Sequence, residues 1–211
     1  MKIHYLDKEF VMQEKKGTLE VVCGSMFSGK SEELIRRVKR SQLAKLNVIV
    51  FKHSLDDRTT TEYVVSHNGN RFEAIPIENP STILAVAEKD IDVIAVDEIQ
   101  FFRQEIIEVI CALVDAGKRV IVAGLDLDFR GVPFGPMPTL MAIADNVTKL
   151  KAICMVCGAE AHFTQRLVNG KPAQFDDPTI LVGAQEKYQA RCRNCHAIDQ
   201  SPRTAEEFSQ L

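Results

Sequence analysis

Short apolar runs and predicted helices follow one another along the first two thirds of the chain. The apolar runs, which are typical of strands covered on both faces of a parallel sheet, are Leu19–Cys23, Val48–Phe51, Ile91–Val96 and Val120–Gly124. Helices are predicted over Lys30–Ala44, where apolar residues recur at helical spacing, and over Ser81–Glu88, Glu105–Ala116 and Pro138–Ala144. Because strands and helices alternate, and crossovers between parallel strands are right-handed, the pattern predicts an α/β fold with a doubly wound parallel sheet.

Residue types that favour turns and helix ends mark several boundaries of these elements. Ser81 is predicted to cap the N-terminus of its helix, and Gly117 is predicted to end the preceding helix pattern as the C′ residue. Asn68-Gly69 predicts the turn of a β-hairpin between Tyr63–Ser66 and Arg71–Ile75.

The character of the sequence changes after about residue 150, and four segments are expected. Residues 1–17 are polar and predict a flexible N-terminus. Residues 18–150 carry the α/β pattern. Residues 151–198 are cysteine-rich and turn-rich and are interpreted as a small separate unit, and residues 199–211 are interpreted as a C-terminal tail.

Composition and charge limit the classes of protein to which the chain can belong. With 211 residues, 45% of them apolar and 26% charged, the chain can bury a core of ordinary globular size. The net charge of −3 argues against an affinity for nucleic acid built on counterion release. No apolar run of about 18 residues predicts a membrane span, and no stretch resembles a signal peptide. We therefore expect a cytoplasmic protein with no nucleic-acid or membrane partner.

A glycine-bearing turn between the first predicted strand and helix matches the phosphate-binding pattern G-x-x-x-x-G-K-[ST]. Its residues are Gly24, Ser25, Met26, Phe27, Ser28, Gly29, Lys30 and Ser31. Glycines let successive backbone N–H groups point at phosphate oxygens, and the following helix adds the partial positive charge of its N-terminus. In this motif Lys30 reaches the β- and γ-phosphates and the Ser31 hydroxyl binds Mg²⁺. The alternative is an ordinary strand–helix turn with incidental glycines, which the position of the motif disfavours.

Two carboxylates follow the apolar run Ile91–Val96. Ligands of open α/β sheets bind at the carboxyl ends of the strands, so Asp97 is predicted to hold Mg²⁺ beside Ser31, and Glu98 can face the reacting group. If Glu98 orients water, the protein hydrolyses a nucleoside triphosphate; if it accepts a proton from an alcohol, the protein is a kinase. A solvated acidic loop is the alternative for the pair taken alone.

The same acidic segment leaves other functions open. Asp97-Glu98-Ile99-Gln100 fits the short motif of helicase-like ATPases, so a stand-alone RecA- or helicase-like ATPase with a zinc ribbon is an alternative function. A helicase normally needs a second motor domain, for which this chain is too short. A non-catalytic zinc-ribbon module that binds nucleic acid is a third hypothesis, and the net charge disfavours it.

Four of the six cysteines form two C-x-x-C pairs with the spacing of zinc ligands. The pairs are Cys154 with Cys157 and Cys192 with Cys195. Each pair can present two thiolates from a tight turn, and two such turns close a tetrahedral zinc site. The 34 residues between the pairs suggest that zinc clamps the base of a long loop. A redox pair, or His196 replacing one thiolate, is the less favoured alternative; Cys23 and Cys111 are interpreted as core thiols.

Together these segments resemble the type II thymidine kinases, the zinc-containing cellular family. The resemblance runs from about Thr18 to His196. Besides the glycine-bearing turn, the segments that carry it are Asp97-Glu98-Ile99-Gln100-Phe101-Phe102, Gly124-Leu125-Asp126, Phe129, Pro133-Phe134-Gly135 and the four cysteines flanking Tyr188. The stretch Asp126–Val132 is closer to the bacterial form of the family than to the vertebrate one.

The resemblance implies a RecA-like P-loop core with helices on both faces of its parallel sheet, and a small zinc-binding lasso domain. It implies transfer of the γ-phosphoryl group of ATP to the 5′-hydroxyl of thymidine, which gives dTMP and ADP in pyrimidine deoxynucleotide salvage. A lid loop is expected over residues 125–135. Structural Zn²⁺, Mg²⁺ with ATP, a homotetramer and feedback inhibition by dTTP are also expected.

The resemblance also carries roles over to individual positions. Glu98 is expected to be the general base for the 5′-hydroxyl, and Arg58 to meet phosphate. Val182 and Gly183 of the lasso are expected to bind thymine through main-chain groups, since the acceptor–donor–acceptor edge of thymine matches peptide groups. The remaining residues expected at the nucleoside are Met26, Gln100, Phe101, Leu125, Phe129, Thr164 and Tyr188.

Overall fold

A six-stranded parallel sheet forms the centre of the fold in the computed structural model, which describes residues 16–55, 63–65, 71–87, 90–179 and 186–200. In spatial order its strands are β5 (Ile75–Ile77), β2 (Val48–His53), β6 (Val93–Asp97), β7 (Arg119–Gly124), β1 (Thr18–Cys23) and β8 (Asn146–Lys149). Every neighbouring pair in this order is parallel. The predicted α/β architecture is confirmed.

Helices cover both faces of the sheet because successive strand residues point to opposite sides. They are α1 (Lys30–Leu43), α2 (Ser81–Val86), α3 (Ile106–Asp115) and α4 (Met137–Ile143). Leu34 and Val38 of α1 pack on the face that includes Val22 of β1. The opposite face, which includes Val21 and Cys23, is covered by apolar residues of the other three helices.

The predicted strands and helices of this unit are present, with shifts of up to two residues at their ends. Gly117 follows α3 with φ of +82°, as predicted for a C′ residue. The cap predicted at Ser81 is wrong: Ser81 is the first helical residue, and its backbone N–H and hydroxyl both donate to Asn79 Oδ1, at 3.0 and 2.9 Å. Strand β8 was not predicted, because it is a largely exposed edge strand of mixed polarity.

The second part of the chain consists of short antiparallel strands. Strands β9 (Ala152–Ile153) and β10 (Glu160–Ala161) form one pair. Strand β11 (Phe163–Val168) lies between β12 (Lys171–Pro172) and β13 (Glu186–Arg191). The limits predicted for the lid loop (125–135), the α/β unit (18–150), the cysteine-rich unit (151–198) and the C-terminal tail (199–211) stay predictions.

The structure describes the two strands of the predicted hairpin but not its turn. Strands β3 (Tyr63–Val65) and β4 (Arg71–Glu73) pair antiparallel, as predicted. The turn at Asn68-Gly69 and most of the predicted flexible N-terminus, residues 1–15, lie outside the described residues. Among the helices that the structure describes, none is long and apolar enough to cross a membrane.

Helix α1 is joined to the sheet by a charged network centred on Glu33 and Glu20. The Glu33 carboxylate accepts hydrogen bonds from Arg36 Nε at 2.6 Å and from Arg37 Nε at 2.8 Å. Arg37 also donates to Glu20, which accepts a further bond from Arg119, both at 2.7 Å. The hydrogen bond from Arg36 is the main cause that lowers the pKa of Glu33 from 4.5 to about 2, and the bond from Arg37 adds to it.

This network predicts a pH-dependent contribution of Glu33 to stability. Because the pKa of Glu33 is lower in the folded chain than in the unfolded one, its contribution is fully present above about pH 4.5 and is lost as the pH falls towards 2. The variant Glu33→Gln should therefore unfold more easily at pH 7, by about 1 kcal/mol, with a smaller difference from wild type at pH 3.5. Urea unfolding at both pH values measures this, and Glu108→Gln on the exposed side of α3 is the control. If the difference in unfolding free energy between wild type and Glu33→Gln were the same at both pH values, the lowered pKa of Glu33 would be contradicted.

Candidate active site

The glycine-bearing turn, residues 24–31, has backbone geometry that requires glycine at its start. Gly24 has φ of +146°, and a Cβ atom there would lie 2.5 Å from the carbonyl oxygen of Leu150 and 2.8 Å from Ser28 Oγ. Gly29 has φ of +87° and directly precedes α1. The buried Lys30 folds back across the turn, where its Nζ donates to the carbonyl oxygen of Ser25 at 2.9 Å.

The turn also carries unused hydrogen-bonding groups. Among the described residues, the hydroxyls of Ser25 and Ser28 are buried and have no hydrogen-bond partner. A buried hydroxyl without a partner costs about 1–3 kcal/mol, a cost that a bound ligand with acceptor oxygens can remove. Together with the N-terminus of α1, these groups fit the triphosphate of a nucleotide.

The variant Gly24→Ala tests whether this geometry serves nucleotide binding. The added methyl group would overlap the carbonyl of Leu150, which is backbone and cannot move aside cheaply. We expect ATP affinity to fall by about 10-fold or more, the effect of about 1.4 kcal/mol of strain or displacement. The control is Gly158→Ala, where φ is also positive but nothing lies within 4 Å of the added carbon. An ATP affinity of Gly24→Ala equal to that of wild type, measured by calorimetry, would contradict the expectation.

Two carboxylates lie at the carboxyl end of β6, beside the turn. The buried Asp97 accepts a hydrogen bond from Ser31 Oγ at 3.2 Å and another from the backbone N–H of Glu98 at 2.9 Å. This contact joins the serine of the turn to the first carboxylate. These oxygen-bearing side chains lie at the carboxyl end of a parallel strand, where ligands of open α/β sheets bind.

Glu98 is held in an unusual conformation by its surroundings. Its backbone is left-handed, with φ of 51° and ψ of 40°, and the residue is buried. Gln100 Nε2 donates to Glu98 Oε2, and Gln100 Oε1 accepts the backbone N–H of Leu125 at 3.0 Å. Such a backbone costs a non-glycine residue about 1–2 kcal/mol and is found preferentially at functional sites. Gln100 thus links Glu98 to the end of β7.

Aromatic and apolar side chains lie near the same sheet edge. Phe101 is half-buried and meets Phe134 edge-on, with ring centroids 5.9 Å apart. Phe102 belongs to the core and packs against His53, with centroids 4.5 Å apart. Leu125 is half-buried at the end of β7. Both phenylalanines lie edge-on to His53, but Phe102 is buried in the core whereas Phe101 is half-buried.

The cysteine-rich part of the chain contacts the glycine-bearing turn directly. Thr164 of β11 is buried, and its Oγ1 accepts the backbone N–H of Met26 at 3.0 Å. Tyr188 on β13 is half-buried and pairs in register with Arg166, whose side chain is fully buried. Met26, Thr164 and Tyr188, which were expected at the nucleoside, thus lie on the turn and on the two strands of this unit.

The predicted lid loop, residues 125–135, forms an ordered turn. A bridge between Leu127 and Pro133 closes its base. At its tip the buried Asp128 accepts hydrogen bonds from the backbone N–H groups of Arg130 and Val132, at 2.9 and 3.1 Å, and from Arg130 Nε at 2.8 Å. The ring of Phe129 is buried, with the guanidinium of Arg166 5.0 Å from its centroid.

The four predicted zinc ligands come together. The sulfur atoms of Cys154, Cys157, Cys192 and Cys195 all lie within 4.8 Å of one another. Tetrahedral zinc with Zn–S bonds of about 2.3 Å separates its sulfur ligands by about 3.8 Å, so this cluster fits structural zinc. Burial acts to raise the pKa of Cys154, but hydrogen bonds from backbone N–H groups of Cys192, Cys157 and Val156 outweigh it and lower the pKa to about 6.

The other two cysteines and the ring of His196 are not members of this cluster. Cys23 is fully buried at the end of β1, and burial is the main cause that raises its pKa to about 11. Cys111 is half-buried in α3. His196 does not replace a thiolate; its ring nitrogen Nε2 contacts the carbonyl oxygen of Phe129 at 2.8 Å. Three of the expected site residues, Arg58, Val182 and Gly183, lie outside the described residues.

Sequence reasoning missed several residues that the fold brings to the site. Arg166 beneath the lid carries no motif, and the sequence offered His196 only as an alternative zinc ligand, not as a contact of the lid. Asp126 is buried and forms an ion pair with Lys149 of β8, at 2.6 Å. The sequence around Asp126 does not indicate a partner 23 positions away. Lys149 is brought to Asp126 by strand β8, and that strand was not predicted.

The fold and the site define a class of protein: an α/β protein whose parallel sheet carries a glycine-bearing turn of P-loop sequence, joined to a four-cysteine cluster that fits zinc. The family model described as thymidine kinase matches residues 17–196. The chain belongs to the thymidine kinase family, and the resemblance to its type II members is confirmed. It is accordingly an ATP-dependent nucleoside kinase, a phosphotransferase whose substrates are thymidine and ATP.

Proposed function

We propose that Glu98 is the general base that accepts the proton of the thymidine 5′-hydroxyl. The oxygen attacks the γ-phosphorus of ATP, the bond from that phosphorus to the β–γ bridging oxygen breaks, and ADP leaves while dTMP forms. The observation that carries the proposal is the fixed position of the Glu98 carboxylate. Gln100 holds this carboxylate by a hydrogen bond. Glu98 directly follows Asp97, and Asp97 contacts Ser31 of the glycine-bearing turn.

The residues of the turn are proposed to bind the triphosphate. Lys30 stabilises negative charge on the β- and γ-phosphates, for which its Nζ must leave the carbonyl of Ser25 that it now contacts. Arg58 is proposed to add a second positive charge near the transferred group. Ser31 and Asp97 would hold Mg²⁺, which when bound neutralises charge on the phosphates; their oxygens, 3.2 Å apart, suit this hard cation.

The nucleoside is proposed to bind between the lid and the strands of the cysteine-rich unit. Phe101 and Phe129 would flank the thymine ring, and Met26 and Leu125 would line the pocket near its methyl group. Gln100, Thr164 and Tyr188 complete the set of side chains, while Val182 and Gly183 offer main-chain groups to the base. The contact of Thr164 with the backbone of Met26 supports a pocket that joins the two parts of the chain.

The pathway, the oligomeric state and the regulation are proposed from the resemblance to the family. We propose that the chain serves pyrimidine deoxynucleotide salvage, assembles as a homotetramer and is inhibited by dTTP. Zinc-binding thiols that stay reduced favour the cytoplasm as its location.

A panel of nucleosides tests the proposed reaction against the alternative ATPase. Purified protein is incubated with ATP and Mg²⁺, alone, with each deoxynucleoside, and with single-stranded DNA, while ADP and phosphorylated nucleoside are measured. We expect ADP release that depends on thymidine and equals dTMP formation. ADP release that is the same with and without nucleoside, or that only DNA stimulates, would contradict the proposal.

A further inference from the structure

Two described side-chain hydrogen bonds join the lid to the cysteine-rich unit: Arg130 donates to Thr179 at 3.4 Å, and the imidazole of His196 contacts the backbone of Phe129. His196 Nε2 lies 2.8 Å from the carbonyl oxygen of Phe129. A carbonyl oxygen can only accept, so Nε2 bears a hydrogen in this contact and donates the hydrogen bond to the lid. The Nε2 edge of the ring therefore faces the lid.

His196 is held rigidly by the zinc-binding turn that precedes it. Its backbone N–H donates to the carbonyl of Cys192 at 3.0 Å, and its ring stacks on Phe163 of β11, with centroids 4.8 Å apart. The next residue, Ala197, exchanges two hydrogen bonds of 2.8 Å with the buried side chain of Gln165. The four-cysteine site and β11 thus fix the position of the imidazole from both sides.

The lid is shaped to fit this contact. A Cβ atom on Gly131 would lie 3.2 Å from the ring of Phe163, so the lid backbone packs directly on the ring that His196 stacks against. The hydrogen bonds of Asp128 hold the tip of the turn in this form. His196 bonds to the backbone carbonyl oxygen of Phe129, while the guanidinium of Arg166 lies 5.0 Å from the centroid of the phenyl ring.

We propose that His196 is a positioning residue that docks the lid on the zinc-binding unit and thereby fixes the ring of Phe129 at the nucleoside. This inference rests on the proposed function, because it takes Phe129 as part of the nucleoside pocket. Thr164, which follows Phe163 on β11, accepts a hydrogen bond from the backbone N–H of Met26. Strand β11 therefore positions both the glycine-bearing turn and the lid. The zinc site acts on substrate binding through this strand and the imidazole.

Substitutions at His196 separate the hydrogen bond from the stacking. His196→Phe keeps an aromatic ring against Phe163 and removes the donor, while His196→Gln restores an N–H group at similar reach. We expect the KM for thymidine to rise roughly 3- to 10-fold in His196→Phe, the effect of one lost hydrogen bond. The KM for ATP should stay within about 2-fold of wild type, and His196→Gln should recover most of the thymidine KM. His162→Phe in the same unit is the matched control.

A second readout follows the lid without catalysis. The chain contains no tryptophan, so Val132→Trp, at a partly exposed lid position, places a single reporter there. In zinc-loaded full-length protein the fluorescence anisotropy of this reporter should fall when His196→Phe is added, and should not change with His162→Phe. Zinc content is measured for every variant, and His196→Phe is expected to keep the ion.

The outcomes distinguish this inference from the proposed function. Unchanged anisotropy together with an unchanged thymidine KM in an active His196→Phe enzyme would overturn the inference. Loss of zinc in His196→Phe would also overturn it, since the residue would then act on the metal site. Equal rises in the KM values for thymidine and ATP would point to a general structural effect and against lid docking. If wild-type protein does not phosphorylate thymidine, the proposed function fails, while lowered anisotropy in His196→Phe still supports docking of the lid.

Discussion

In the variant Glu98→Gln, kcat for thymidine phosphorylation is expected to fall by about 10²- to 10⁴-fold, the usual contribution of a general base. The amide has the shape of the carboxylate but cannot accept the proton of the 5′-hydroxyl. Its oxygen can still accept the hydrogen bond from Gln100, so the local geometry should persist. Affinity for ATP, measured by calorimetry, should change by less than about 3-fold, because Glu98 is not among the residues proposed to bind the triphosphate.

The control for this variant is Glu108→Gln, which makes the same chemical change on the exposed side of α3. It should leave kcat and ATP affinity as in wild type. A kcat for Glu98→Gln within about 3-fold of wild type would mean that another group takes the proton, since loss of a general base costs far more. A parallel loss of ATP affinity would mean that the substitution disturbs the neighbouring phosphate-binding turn.

The second large effect is expected from the zinc site. Replacing the buried Cys192 by serine removes one of four cysteines whose sulfur atoms lie within 4.8 Å of one another. Metal binding of this kind contributes directly to folding, so zinc affinity should fall by at least about 100-fold. Thymidine phosphorylation should be lost with it, because β11 and β13 border this site and carry Thr164 and Tyr188.

Cys111→Ser is the matched control, because Cys111 is half-buried in α3 and lies outside the cluster. It should keep one zinc per chain and full activity. Metal content by atomic emission and thymidine turnover are measured on the same preparations of both variants. If Cys192→Ser kept one tightly bound zinc and its activity, the four-thiolate site would be refuted.

The features that the sequence predicted are those that depend on local constraints. Buried parallel strands need apolar residues at every position, and Val120–Gly124 shows this directly in its composition. The glycine-bearing turn needs glycine where the backbone turns left-handed or passes close to another chain segment, as at Gly24 beside Leu150. The zinc ligands need paired cysteines. In each case the physical requirement restricts the residue type, and so it can be recognised in the sequence.

The features that were missed depend on contacts between distant segments. Strand β8 gains its order from pairing with β1, not from its own composition. The left-handed backbone of Glu98 and its bond to Gln100 follow from a turn whose shape no short pattern specifies. His196 acquires its contact with the lid only because the chain returns to β11 after the last cysteine.

The most direct test of the account is a crystal structure of the protein with thymidine and a non-hydrolysable ATP analogue. The proposed chemistry predicts a Glu98 carboxylate oxygen within hydrogen-bonding distance, about 2.6–3.2 Å, of the thymidine 5′-oxygen, with that oxygen facing the γ-phosphorus. A 5′-oxygen that instead bonds to another residue, with the Glu98 carboxylate turned away from it, would contradict the central claim.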